Sequence, residues 1–247
     1  MSMVGTEIFE KCLKIFIAGP VGVGKTTFIN NIQKQIPEGS RIHIIPEYVD
    51  GDPEGPEILK KFLNKEMNNF QFQMYILEFY EKYIISILPE VHEEDIIVFE
   101  RLPDEGVVCF ANITYHEQGL TKNDMRELIN KVLELDVRFG LPSLLNLKLH
   151  NFSFNTMKTV NPESSAAVAK STIDLAKLLN QHIVIGLYNT PEVCYKRILQ
   201  RARDGEGVYS YSNVERFTRI YANIYRNVLA SKDITVDSLP SIFIRCE

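Results

Sequence analysis

The sequence contains no tryptophan, so any aromatic wall must be built from its 14 phenylalanines and 11 tyrosines. Cysteine is scarce. Cys12, Cys109, Cys194 and Cys246 lie far apart, with no CxxC pair and no histidine at zinc-ligand spacing, which excludes a disulfide framework and a zinc motif. They read as reduced thiols in packed positions. Positive charge is also short, with 27 Lys plus Arg against 32 Asp plus Glu and a net charge of −5. No spare positive field is left to hold a nucleic-acid polymer. Finally, no apolar run approaches the roughly 18 residues that span a bilayer. The opening MSMVGTEIFEKCLK lacks the basic start and apolar stretch of a signal peptide. A membrane is therefore not expected as a partner, and the expected place of action is the cytoplasm, with nucleus and mitochondrion left open.

What is present is an alternation. Short apolar runs at residues 13–18, 42–45, 96–99, 183–187 and 234–236 are separated by longer stretches of helical period. Such a pattern predicts α/β architecture with a mainly parallel sheet of five strands and helices on both faces. Residues 57–88 carry apolar positions for two consecutive helices, the second stopped by Pro89. Residues 121–139 are expected to form a helix opened by a Thr121/Asp124 capping box, with Leu128, Val132 and Leu135 on one stripe. Pro191 opens another helix at its first turn, and residues 214–229 form the last long one. The chain is expected to be one domain over residues 1–247, with an insertion at about 140–179 whose first half is irregular and Asn/Ser-rich and whose second half resumes a helical period.

Gly19-Pro20-Val21-Gly22-Val23-Gly24-Lys25-Thr26 satisfies G-x-x-x-x-G-K-[ST] at every position. An apolar strand enters it and a helix leaves it, so the glycines can turn backbone N–H groups toward one point beside a helix N-terminus. Such a site takes a polyphosphate. Lys25 is placed to reach its β and γ phosphates and the Thr26 hydroxyl to ligate magnesium.

Two further strands end in acids at the same sheet edge. Glu47 follows the second strand, where a carboxylate can accept a hydroxyl proton or simply sit in a solvated turn. Glu100-Arg101 closes the third, suited to magnesium and phosphate or to a surface pair. Arg197, Arg201 and Arg203, with Gly205 and Gly207 nearby, describe either a hinged segment that closes over phosphates or a basic helix end answering its own dipole.

Together these segments resemble the deoxynucleoside kinase family, which includes cellular deoxynucleoside kinases and herpesvirus-type thymidine kinases. Residues 19–27 look like its phosphate loop, and Glu47-Tyr48-Val49 like its Glu-Pro-Val segment. Phe72-Gln73-Met74-Tyr75 is similar to its base-reading Phe-Gln helix, and Glu100-Arg101-Leu102 to its Glu-Arg-Ser motif. Residues 190–203 look like the helix leading into its lid. The insertion and the tail after Leu239 fall outside the resemblance.

The resemblance implies a phosphate-loop kinase fold with an arginine-bearing lid and transfer of the γ-phosphate of ATP to the 5′-hydroxyl of a deoxynucleoside. It makes Glu47 the base, with Arg101 holding Glu47 and the 5′ oxygen. Lys25, Arg201 and Arg203 act on the transferring phosphates. Gly19, Gly22, Gly24, Lys25, Thr26 and Thr27 bind the ATP donor, and Thr26 and Glu100 serve magnesium. Gln73 reads the base, Phe110 packs on its plane, and Glu206 holds the sugar 3′-hydroxyl. A homodimer is implied as well.

Departures bear on the substrate. Tyr48 replaces the usual Pro, Leu102 the usual Ser, and Asp52 stands where a Trp is expected. Phe62 falls where a Tyr hydroxyl often meets the sugar. Gly106 and Tyr80 stand where relatives preferring deoxycytidine and purines place an Asp and its Arg partner. A neutral wall with a small residue at 106 suits thymidine or another pyrimidine, because Gln73 presents a donor beside an acceptor. Two rival readings stay open: a nucleoside monophosphate kinase of thymidylate type, and a non-enzymatic nucleotide-binding switch.

Overall fold

The computed structural model describes residues 3–34, 41–111, 119–142, 150–151, 158–160, 182–203, 206, 209–230 and 240–246. Strand β1 (Leu13–Ala18) runs at the centre of a parallel sheet. Strand β3 (Ile96–Glu100) pairs on one side of it and β6 (Ile183–Tyr188) on the other, with β2 (Ile42–Ile45) beyond β3. Continuous apolar runs such as Ile15-Phe16-Ile17 are what a strand covered on both faces requires, and all three residues are fully buried.

The expected sheet of five strands is corrected. Four strands in the order β2-β3-β1-β6 form its centre. Beyond them β7 (Pro240–Cys246) pairs with β6, and the short β4 (His150–Asn151) and β5 (Lys158–Val160) pair with β7. The fifth strand expected at 234–236 lies outside the described residues, as does most of the insertion expected at 140–179, including its helical part.

Two apolar clusters hold the layers together. On one face α2 (Lys25–Gln33) sets Phe28, Ile29 and Ile32 against Ile15, Ile17 and Val98, joined by Cys194 and Ile198 of α7 (Pro191–Arg201). The other face is covered by α1 (Met3–Lys11), α5 (Asn69–Ile87) and α6 (Lys122–Phe139), whose Phe9, Leu77, Leu128, Val132 and Leu135 meet Phe16 and Phe99. The α6 stripe is thus the expected one, and its capping box forms both ways, Asp124 N donating to Thr121 Oγ1 at 3.1 Å and Thr121 N to Asp124 Oδ2 at 2.8 Å. Helix α1 is an addition to the expected elements. Its C-terminal carbonyls are held by the ammonium of fully buried Lys14, 2.7 Å from Phe9 O, and burial pushes that lysine down to about 8.

The expected pair of helices in 57–88 is α4 (Gly55–Leu63) followed by α5, the latter ending at a 3₁₀ turn that carries Pro89. A single helical turn, α3 (Tyr48–Gly51), follows β2, and α8 (Tyr211–Ala230) is the last helix among the described residues. Cys12, Cys109 and Cys194 are buried free thiols. Among the described residues no helix is long and apolar enough to cross a membrane.

Candidate active site

Because the central strands are parallel, the loops after β1, β2, β3 and β6 emerge at one edge of the sheet, where ligands of open α/β sheets bind. The loop after β1 is forced to be glycine-rich by its surroundings. Gly22 has φ of +77°, and a Cβ there would stand 2.4 Å from the Cys194 carbonyl oxygen. Gly24, at φ of +109°, is the N-cap of α2, so the turn delivers the chain into the helix with its amides directed outward.

Four charged side chains converge beside this loop. Lys25 is 6% exposed, and its ammonium lies 3.0 Å from Glu47 Oε1. Glu47 is also bound by Arg101 Nε. Arg101 in turn donates to Gly19 O at 2.7 Å, Glu105 Oε2 at 2.8 Å and Tyr221 Oη at 2.7 Å. Its backbone φ of +78° is a left-handed conformation that a non-glycine residue holds only under constraint. The constraint is visible in those bonds and in Arg101 N, which donates to Ile17 O. The fourth member, Glu100, accepts from Thr26 Oγ1 at 2.8 Å.

This cluster drives its two carboxylates apart. Burial alone would raise Glu47, but the charges of Arg101 and then Lys25 outweigh it and hold its carboxyl well below the usual range. Glu100 moves upward, through burial first and then the neighbouring Glu47 charge. A strongly ionised acid beside a reluctant one is how a site assigns different tasks to two carboxylates.

The lid segment closes the cleft from the other side. Arg197 of α7 donates to Val23 O of the phosphate loop at 2.7 Å. Arg201 grips Glu206 with Nε and Nη2. Arg203 Nη2 meets both carboxylate oxygens of Asp50 at 2.7 Å, tying the lid to α3. The cleft has a volume of about 1370 Å³, above the roughly 300–1,000 Å³ of a site for one small ligand. It has room for a donor and an acceptor.

A family model described as deoxynucleoside kinase matches residues 15–145, from β1 through α6. The chain belongs to the deoxynucleoside kinase family. It is accordingly an ATP-dependent nucleoside kinase. Among solved structures it is similar in fold to the deoxyadenosine kinase from M. mycoides with bound dATP, at 21% identity and a TM-score of 0.54, covering 94% of this chain and 91% of that one. No curated protein sequence matches the chain.

In the kinase's inner cleft the remaining sequence-predicted residues come together around α5. Gln73 is 2% exposed. Phe62 of α4 stacks flat on Phe72 with ring centroids 4.0 Å apart, and Tyr48 meets Phe72 edge-on. Tyr80 is pinned by a hydroxyl bond to Glu100 O at 2.9 Å. Phe110 packs edge-on to Phe217 and carries the Arg101 guanidinium over its ring. Thr27 lines the same cleft. Two contacts involve residues assigned to the substrate. The space over Gly106 is not open, because a Cβ there would lie 2.3 Å from Gln73 Oε1; the glycine clears room for the glutamine amide. Glu206, assigned to the sugar, is engaged by Arg201.

Sequence reasoning passed over Glu105 and Tyr221, which anchor Arg101 and each other. Glu105 carried a signal in its spacing of four residues from Arg101; Tyr221 carried none, being 120 residues away. The pairing of Asp50 with Arg203 is hidden for the same reason, at 153 residues, whereas Asn69 stands only four residues before Gln73.

Proposed function

We propose that this kinase phosphorylates the 5′-hydroxyl of pyrimidine deoxynucleosides, thymidine foremost. The observation that carries this reading is the Glu47 carboxylate fixed between Lys25 and Arg101 at the end of β2, beside the phosphate loop. A phosphoryl transfer to an alcohol needs little beyond positioning, charge neutralisation and one carboxylate for the hydroxyl proton. Glu47 is that carboxylate, and Arg101 aims it.

The ion pairs suggest how donor binding readies the base. With both cations beside it, Glu47 holds a proton poorly. When Lys25 turns to the β and γ phosphates, one cation leaves, and the affinity of Glu47 for the substrate proton rises. Arg201 and Arg203, paired with Glu206 and Asp50 at the cleft, supply further positive charge to the transferring phosphates. Thr26 and Glu100 offer a hydroxyl and a carboxylate 2.8 Å apart beside the loop, hard oxygen donors that fit magnesium. Bound there, the ion would neutralise the oxygens of the transferring group.

A neutral hydroxyl acceptor is favoured over a monophosphate, because Arg101 is already committed to Glu47, Glu105, Gly19 and Tyr221. The pyrimidine preference is supported by a wall without the charged pair at 80 and 106, and by the bulk of Tyr80, which borders the cleft and is fixed by its hydroxyl. The test is phosphate transfer from radiolabelled ATP to the four deoxynucleosides and, in parallel, to their monophosphates. Phosphorylation of monophosphates alone would overturn the reading, and a purine ahead of both pyrimidines would overturn its base preference.

A further inference from the structure

Inside the cleft, two amides of α5 meet. Asn69 and Gln73 stand four residues apart, on one face of the helix, and are 7% and 2% exposed. Gln73 Nε2 donates to Asn69 Oδ1 at 3.1 Å. The other end of the same amide, Gln73 Oε1, accepts no hydrogen bond from any described residue, and it occupies the room that Gly106 leaves by having no side chain. A buried carbonyl oxygen without a donor is costly. Gln73 borders the cleft, so the donor for this oxygen is expected from a ligand.

We infer that Asn69 is a positioning residue that fixes the orientation of the Gln73 amide and thereby makes the kinase read the order of donor and acceptor along the base edge. This rests on Gln73 as the base reader of the proposed function. A glutamine amide free to turn over exchanges its N–H and C=O ends and serves either order. With Asn69 Oδ1 facing Gln73, a turn of Gln73 alone would set Oε1 against Oδ1, two acceptors with no proton between them in a buried site, so the exchange requires both amides to turn together.

The consequence divides the four bases by edge rather than by size. Thymine offers N3–H beside the O4 acceptor, and guanine offers N1–H beside O6 in the same order. Cytosine offers the N3 acceptor beside its N4 amino group, and adenine offers N1 beside N6, in the reverse order. For bases seated in one pose, a fixed amide matches one pair and opposes like with like for the other.

The test is kcat/KM for thymidine, deoxycytidine, deoxyguanosine and deoxyadenosine with wild type, Asn69→Ala, Asn69→Asp and Gln73→Ala. Wild type should separate thymidine from deoxycytidine and deoxyguanosine from deoxyadenosine in the same sense; comparing within one ring size removes the effect of bulk. Asn69→Ala should bring both ratios toward unity by about three- to tenfold. Asn69→Asp, whose carboxylate only accepts, should keep both near the wild-type values. A general loss of activity in Asn69→Ala with unchanged ratios overturns the inference, as does inversion of the ratios in Asn69→Asp. Should a variant fail to fold, wild type alone still decides, because equal use within each pair, or ratios of opposite sense, also overturns it. Gln73→Ala separates the two levels of the argument. If it leaves all four substrates unaffected, Gln73 is not the base reader and the pocket assignment falls. If it flattens the ratios while Asn69→Ala does not, only the role of Asn69 falls.

Discussion

Replacing Glu47 by glutamine tests the centre of the site, because the amide keeps the shape of the side chain and removes its charge. In the wild type that charge faces Lys25 at 3.0 Å and Arg101 Nε, both in a largely buried setting. A general base of this kind is worth about 10²–10⁴ in rate, or about 2.7–5.5 kcal/mol of barrier, so kcat should fall by that factor while nucleoside affinity changes little. Stability should fall as well. Stripping the partner from a buried charge costs about 3–5 kcal/mol, but Arg101 retains Glu105 and Gly19 O, and we expect about 1–3 kcal/mol. For a chain of this size that lowers Tm by about 2–4 °C per kcal/mol.

The pH dependence of the same variant has a definite sign. Glu47 is held below its ordinary carboxylate pKa in the folded state, so its contribution is complete above the unfolded value of about 4.3 and fades as pH falls through the lower folded value. The Tm gap between wild type and Glu47→Gln should therefore stay constant from about pH 5 to 8 and narrow below about pH 4. Single-turnover quench-flow at saturating nucleoside and thermal unfolding across that range measure both effects. An unchanged turnover rate, or a gap that widens on acidification, would refute the reasoning.

Three other substitutions probe separate parts of the cleft. Lys25→Ala should leave the fold intact and lower turnover by roughly 10²–10³, the loss that follows removal of one preorganised contact to a developing charge; a folded variant with normal turnover would exclude the loop from donor binding. Gly106→Ala places a methyl group 2.3 Å from Gln73 Oε1, so kcat/KM should fall about tenfold or more for every nucleoside with KM for ATP nearly unchanged; a normal nucleoside KM would show that the amide is not at the base. Phe62→Tyr preserves the flat stack on Phe72 and should tighten nucleosides carrying a 3′-hydroxyl by about 0.5–1.5 kcal/mol; equal tightening of 3′-deoxy analogues would show that the phenol does not meet the sugar.

Much of the kinase was determined by sequence alone, wherever chemistry is local. The phosphate loop is readable because its glycines, lysine and threonine act within eight consecutive residues and its flanking strand and helix have opposite periods. The Thr121/Asp124 box and the buried stripe of α6 are readable for the same reason, each being a contact between residues three or four apart. The order of acidic strand ends also survives in sequence, since parallel strands must deliver their carboxyl ends to one edge. What only the tertiary structure decided is which charges meet there. Glu47 finds Arg101 54 residues later, Arg101 finds Tyr221 120 residues later, and Arg203 finds Asp50 across 153. Such pairings depend on how helices settle against the sheet, and no local pattern encodes them. The strand Pro240–Cys246 escaped notice because it is defined by its pairing with β6 on one side and with the short β4 and β5 on the other rather than by its own period. Gly106 is the sharpest case. In sequence it is a small residue at a pocket wall, and only the approach of Gln73 Oε1 shows that its missing side chain makes room for the Gln73 amide.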